Sequence, residues 1–295
     1  MSEVYNLNQS RVVAFLKIHD SFDETLTKAI SIIGGLGYLK SPLILKPNLC
    51  TGNDHTGCAN VNVEVIETLV KHIFREKEDA EIKIVESDSM SKYADNVFKK
   101  YGYKEFVNKL IEQGFNISLI NLSKSPLAKF VFEGDYFKNP ELPRTLLDAG
   151  SFVSVALPKT HDLTMITGAL KNMFGLLPRK DQGYYHPQIH EVILDLNRMF
   201  RSDLCLIDGR MGLEGVTSGN PRNMGCLILG KDPVSVDATM ARAMGFAPEK
   251  IRHIVEAERY GLGSLHPDVV GDDLDSHRIM FKTPYGLKKN ALIHN

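Results

Sequence analysis

The chain predicts an α/β protein with a mixed, mainly parallel sheet and helices on both faces. Three observations carry that expectation. Short aliphatic runs that are apolar on both faces recur along the 295 residues, as buried parallel strands do. Amphipathic stretches at helical spacing separate them. Polar motifs also recur at strand ends and helix starts, where α/β proteins place their ligands.

In chain order, the strand candidates are residues 12–18, 42–45, 82–85, 117–120, 152–156, 204–207 and 227–229. The first helix, 22–33, follows a cap at Asp20 or Ser21 and stops at Gly34 and Gly35. Val65, Leu69 and His72 or Ile73 mark a second helix, and 98–111 a third. Residues 123–143, rich in Lys, Pro and aromatics, interrupt the rhythm, with a hairpin expected over 129–137. Ile189, Val192, Ile193, Leu196 and Phe200 form a further helical stripe. Asp232 followed by Pro233 is a helix start. After Gly263 an edge strand is expected at 278–282, then a basic end. The chain reads as one α/β domain over 1–295, or as two halves, 1–122 and 144–295, joined by the insertion 123–143.

Composition narrows the function. With 35 Lys+Arg against 36 Asp+Glu, the net charge is −1, which argues against nucleic-acid or anionic-membrane partners. No apolar run approaches the roughly 18 residues of a spanning helix, and MSEVYNLNQSRVV does not read as a secretory signal. Four cysteines are too few for a disulfide scaffold. A cytoplasmic protein with a small-molecule ligand is expected.

The first motif runs from strand 42–45 into Lys46-Pro47-Asn48. Lys46 could meet an anion and Asn48 orient it, or the tripeptide could be a solvated turn. The same loop holds Cys50, His55 and Cys58, a spacing open to zinc or iron but without tight Cys-x2-Cys pairs. Cys205 and Cys226 read as small hydrophobes.

In the stretch 155–178, a strand ends at Pro158 and Thr160 or Asp162 caps a helix with His161 at its start. Thr164, Thr167, Gly168, Lys171 and Gly175 would share one face, and the helix start would attract an anion. His186 and His190 suit a metal pair or acid–base work. Asp208, at a strand end and followed by Gly209, Glu214 and Gly215, suits a divalent cation or an acid–base pair. The glycine spacing is that of neither a dinucleotide nor a Walker loop. Asp237, facing inward, needs a Lys, a metal or backbone amides.

Six motifs taken together resemble the family called domain of unknown function 362, over roughly residues 43–263. They are LKPNL, IVESDS, LPKTHDLTMITGALKNMFG, the YYHP step, LIDGRMGLEG and GKDPVSVDA. The matching positions include Lys46, Asn48, His161, Thr164, Gly168, Lys171, Asn172, Gly175, His186, Asp208, Gly209, Glu214, Gly215, Asp232 and Asp237. The resemblance implies no agreed reaction. Several members look like iron–sulfur proteins through an added ferredoxin-like module; the cysteine run of such a module is not found in this sequence, so an intrinsic 4Fe-4S cluster is not expected.

The leading expectation is an enzyme acting on a small anionic metabolite. Lys46, Lys171 and the helix start at His161 would hold the anion, with Asn48, Thr164, Thr167, Asn172, Gly209 and Gly215 around it. His161 or His186 would move a proton. Asp208, Glu214 and Asp237 would hold a divalent metal or polarise the bases. The alternatives are a redox protein using Cys50 and Cys58 with a separate ferredoxin, and a non-catalytic ligand-binding protein.

Overall fold

Residues 11–284 are described in a computed structural model of the chain. Most of the stretch read for a secretory signal, and the basic end past residue 284, lie outside the described residues.

Strand β1 (Val12–Lys17) leads to α1 (Phe22–Ile32), whose Ser21 side chain accepts the Glu24 amide at 3.1 Å. Then follow β2 (Leu43–Pro47), α2 (Val63–Glu76), β3 (Ile82–Glu86), α3 (Ala94–Lys100), α4 (Tyr103–Glu112) and β4 (Ile117–Asn121). The expected helix over 98–111 is thus two helices, because Gly102 sits between them at φ +81° and breaks the helical path.

The segment 123–143 carries β5 (Leu127–Lys129) paired antiparallel with β6 (Glu141–Pro143), plus a bridge between Glu133 and Lys138. The hairpin is therefore wider than the expected 129–137. Beyond it come β7 (Ser151–Ala156), β8 (Thr160–His161), β9 (Met165–Ile166), α5 (Ala169–Asn172) and α6 (Ile189–Met199). The chain goes on through β10 (Leu204–Gly215), β11 (Gly219–Gly230), α7 (Pro233–Ala243), α8 (Arg252–Arg259) and β12 (Asp268–Gly271).

Eight strands form one sheet in the order β12-β1-β11-β10-β7-β2-β3-β4. All neighbours run parallel except at β11, which is antiparallel to both β1 and β10. The strand period of two splits the core into two layers. Leu43 and Leu45 point to one face with Leu26, Val65, Val97 and Tyr103 from α1–α4. Ile44 points to the other with Leu170, Val192, Val236 and Ile254 from α5–α8. The fold is the mixed, mainly parallel α/β sheet with helices on both faces.

Three local expectations are corrected. Residues 160–177 do not form one helix. They make the β8–β9 hairpin, with Met165 at φ +69° and Gly168 at φ +114°, then the short α5 and a 3-10 turn, Met173–Leu176. Asp208 does not end its strand, because the glycine-rich stretch after it continues β10 and returns as β11. The edge strand is β12, not 278–282; there the Ile279 and Phe281 amides donate to the carbonyls of Ala243 and Met244, so this segment caps the end of α7.

Candidate functional site

Parallel strands that end together place the residues after them in one crevice. At the carboxyl ends of β2, β3 and β7, a cleft of about 280 Å³ is lined by Lys46, Asn48, Cys50, Glu86, Lys92, His161, Lys171, Asn172, Phe174, Gly175, Gln182 and His186, among others. Eight of the residues singled out in the sequence meet here: Lys46, Asn48, Cys50, His161, Lys171, Asn172, Gly175 and His186.

The cleft floor is an ion triad. The Lys46 ammonium donates to Glu86 Oε2 at 2.6 Å and to the Pro47 carbonyl at 2.6 Å. Lys92 approaches Glu86 Oε1 at 3.1 Å and donates to the Ser87 carbonyl at 2.5 Å. Lys46 and Glu86 are each 2% exposed and Lys92 8%, so two ammonium groups share one buried carboxylate. Burial holds the Lys46 ammonium below its ordinary value, against the pull of Glu86.

Lys171 stands across from this triad on α5. Among the described residues it makes no ion pair; its Nζ lies 5.3 Å from the centre of the Phe174 ring. Burial and the neighbouring Lys159 bring its pKa down to about 8. The backbone around it is pinned. The Asp237 carboxylate accepts the Ala169 and Leu170 amides at 2.7 and 2.9 Å, and Asn197 Nδ2 donates to the Leu170 carbonyl at 2.9 Å. Asn172, expected to touch a ligand, ties α5 to the sheet by donating to the Lys46 carbonyl at 2.8 Å and to Ser154 Oγ at 3.0 Å.

His161 is held neutral. Burial, then the charge of Lys171, drops its pKa to about 2. Its Nδ1 accepts the Leu163 amide at 3.1 Å, which leaves the proton on Nε2. The group is a hydrogen-bond donor at Nε2, without the helix start expected beside it. His186 is exposed on a 3-10 turn, Gln182–Gln188, and is lowered by partial burial and then by Lys171. His190 instead stacks on the fully buried His253, with ring centres 6.0 Å apart.

The other candidates lie elsewhere. Thr164 and Thr167 donate to the Ile166 and Leu157 carbonyls and hold the β8–β9 hairpin. Gly209 lies within the sheet, where a Cβ would meet Cys226 Sγ at 2.7 Å. The three carboxylates foreseen as a metal set do not meet. Asp208 is forked by Arg210 Nε and Nη2 at 2.9 and 3.0 Å. Glu214 accepts the Lys282 amide at 2.9 Å and pairs with Arg222 at 3.4 Å. Asp237 has taken the backbone amides. Among the described residues no group of three or more His, Cys, Asp or Glu side chains could hold a metal ion.

Cys50 and Cys58 bond carbonyls of their own loop, Ala59 at 3.2 Å and Thr56 at 3.3 Å, while Cys205 and Cys226 are buried in the sheet. Glu214 and Gly215 line a neighbouring cavity of about 430 Å³, which shares His161, Val216 and Thr217 with the cleft.

Sequence reasoning missed Glu86, Lys92 and Lys159. The strand-end rule that singled out Lys46 applies equally to Glu86, the last residue of β3, and to Lys159, just past β7. Lys92 carries no such signal.

Comparison with known proteins adds the following. The family model described as domain of unknown function (DUF362) matches residues 43–242. A thylakoid-associated protein of Synechocystis sp. is 23% identical over 288 residues, covering 90% of this chain and 86% of that protein. The lactate racemase apoprotein from Thermoanaerobacterium thermosaccharolyticum is 11% identical with a TM-score of 0.49, over 80% of this chain and 58% of that one. No described helix is long and apolar enough to cross a membrane. With the family model spanning more than half of its length and all six motifs in order, this chain belongs to the DUF362 family.

Proposed function

We propose that the protein is an enzyme that binds a small anionic metabolite in this cleft and moves a proton on it. The observation that carries the reading is the charge count: among the described residues, Lys46, Lys92 and Lys171 face one cleft with the single carboxylate of Glu86. Buried positive charge without a matching anion is costly, and an anionic ligand supplies the match. Lys171, with its pKa near 8, gives and takes a proton close to neutrality. The Nε2–H of His161 polarises an oxygen without competing for that proton. All four cysteines are free thiols, which suits a reducing, cytoplasmic compartment.

The test is a panel of small carboxylates and phosphates screened by thermal shift, with Lys171→Met alongside. At least one anion should raise the wild-type Tm, and the variant should bind it about tenfold more weakly, roughly 1.4 kcal/mol, with its own stability nearly unchanged. Proton transfer is then read by NMR as solvent deuterium entering the bound acid. If no anion stabilises the wild type, the reading fails. A ligand that binds but never exchanges or turns over would make this a binding protein.

A further inference from the structure

We propose that Lys171 acts as an amine nucleophile that forms an imine with a carbonyl carbon carried by the anionic ligand. This deepens, and rests on, the reading of the cleft as an anion site, and it names the substrate class as a small oxo acid.

Four features of the structure support it. Lys171 projects into a cleft, and among the described residues no carboxylate claims its ammonium. The groups that act on it electrostatically are the Lys159 ammonium and the Cys50 thiol, while His161, His186 and His253 in turn feel its charge. Next to another cation and away from water, a lysine gives up its proton readily, and the neutral amine is the nucleophile. The backbone on either side is held by Asp237, Asn197 and Asn172, so the side chain leaves a fixed root.

The oxo acid's own charge would sit against the excess ammonium of the Lys46–Glu86–Lys92 triad. In the step itself, the Lys171 nitrogen lone pair forms a C–N bond as the carbonyl π bond breaks. The carbonyl oxygen takes up a proton while hydrogen-bonded to His161 Nε2–H. The nitrogen loses its first proton to give the carbinolamine; its hydroxyl then takes up a second proton and departs as water, and loss of the second nitrogen proton leaves the imine. His186, at the cleft mouth, is placed to carry the proton between nitrogen and oxygen.

The experiment incubates the full chain with glyoxylate and cyanoborohydride at pH 7, and maps the modified lysines by peptide mass spectrometry. Hydride adds to the imine carbon and leaves a stable carboxymethyl-lysine. Lys171 should be modified at least roughly tenfold faster than exposed lysines such as Lys28 and Lys109, in line with its more accessible neutral form. Lys171→Arg keeps the charge and should still be stabilised by anions, but should lose the fast adduct.

Slow or absent modification of Lys171, in a protein that anions still stabilise, overturns the imine and leaves the anion site standing. If anions stabilise neither protein and Lys171 is not modified, both readings fall.

Discussion

Gly175 shows at the scale of one residue how tightly the cleft is built. A Cβ there would lie 2.6 Å from Lys46 Cε, 2.9 Å from its Nζ and 3.0 Å from Glu86 Oε1. Lys46 is buried and has nowhere to retreat, so Gly175→Ala should cost about 1–3 kcal/mol in urea unfolding and weaken anion binding. Wild-type values on both counts would show that the triad is not sterically set. Glu86→Gln removes the carboxylate that the buried Lys46 and Lys92 ammonium groups share and should cost about 3–5 kcal/mol. An added anion should then raise its Tm by more than it raises that of the wild type. His253 gives the opposite case. It is fully buried and, among the described residues, neither ring nitrogen has a hydrogen-bond partner, so His253→Leu should be neutral or stabilising by about 1 kcal/mol. A large loss of stability in chemical denaturation would contradict that account.

At the scale of elements, α5 is too short to stand by propensity, since an isolated helix of four residues does not nucleate. It is held by the Asp237 carboxylate on its first amides. Gly168 lets that carboxylate approach: its φ is +114°, and a Cβ would sit 2.4 Å from Asp237 Oδ1. Asp237→Asn keeps only one acceptor oxygen and should cost about 1–3 kcal/mol, and it should also reduce the selective modification of Lys171. Unchanged selectivity would mean that α5 is held by packing alone. The expected long helix over 160–177 failed for a local reason. Thr164 and Thr167 turn their hydroxyls onto nearby carbonyls, which favours a turn over a helix.

For the whole molecule, the buried titrating groups set a pH response. His161 and His253, with pKa values of about 2 and 3 against 6.5 unfolded, stay neutral in the fold. The unfolded chain takes up protons below pH 6.5 that the fold refuses, so stability falls as the solution is acidified. Asp237 works the other way. Burial raises it to about 7 from 3.8, so its contribution is full below pH 3.8 and is lost as pH rises through 7. Two histidines outweigh one aspartate between pH 4 and 6.5, leaving a net acid loss of about 1.4 kcal/mol per pH unit from these groups. Urea midpoints at pH 4.5, 6 and 8 check this. His253→Leu should flatten the acid limb, and Asp237→Asn should steepen it.

The alternation of buried strands and amphipathic helices, the start of α1 at Ser21 and of α7 at Asp232, and the importance of strand-end residues were all legible in the sequence. These features follow from periodicity and from hydrogen bonds that reach only a few residues along the chain. The tertiary structure decided which strand-end residues meet. Lys46 and Glu86 lie 40 residues apart, Cys50 and Lys159 lie 109, and Lys46 and Asn172 lie 126, joined only because β2, β3 and β7 finish side by side. The same packing turned Asp237 from a metal candidate into a helix cap and, among the described residues, left Lys171 in the cleft without a carboxylate, because a buried charge takes whichever partner the fold brings within reach.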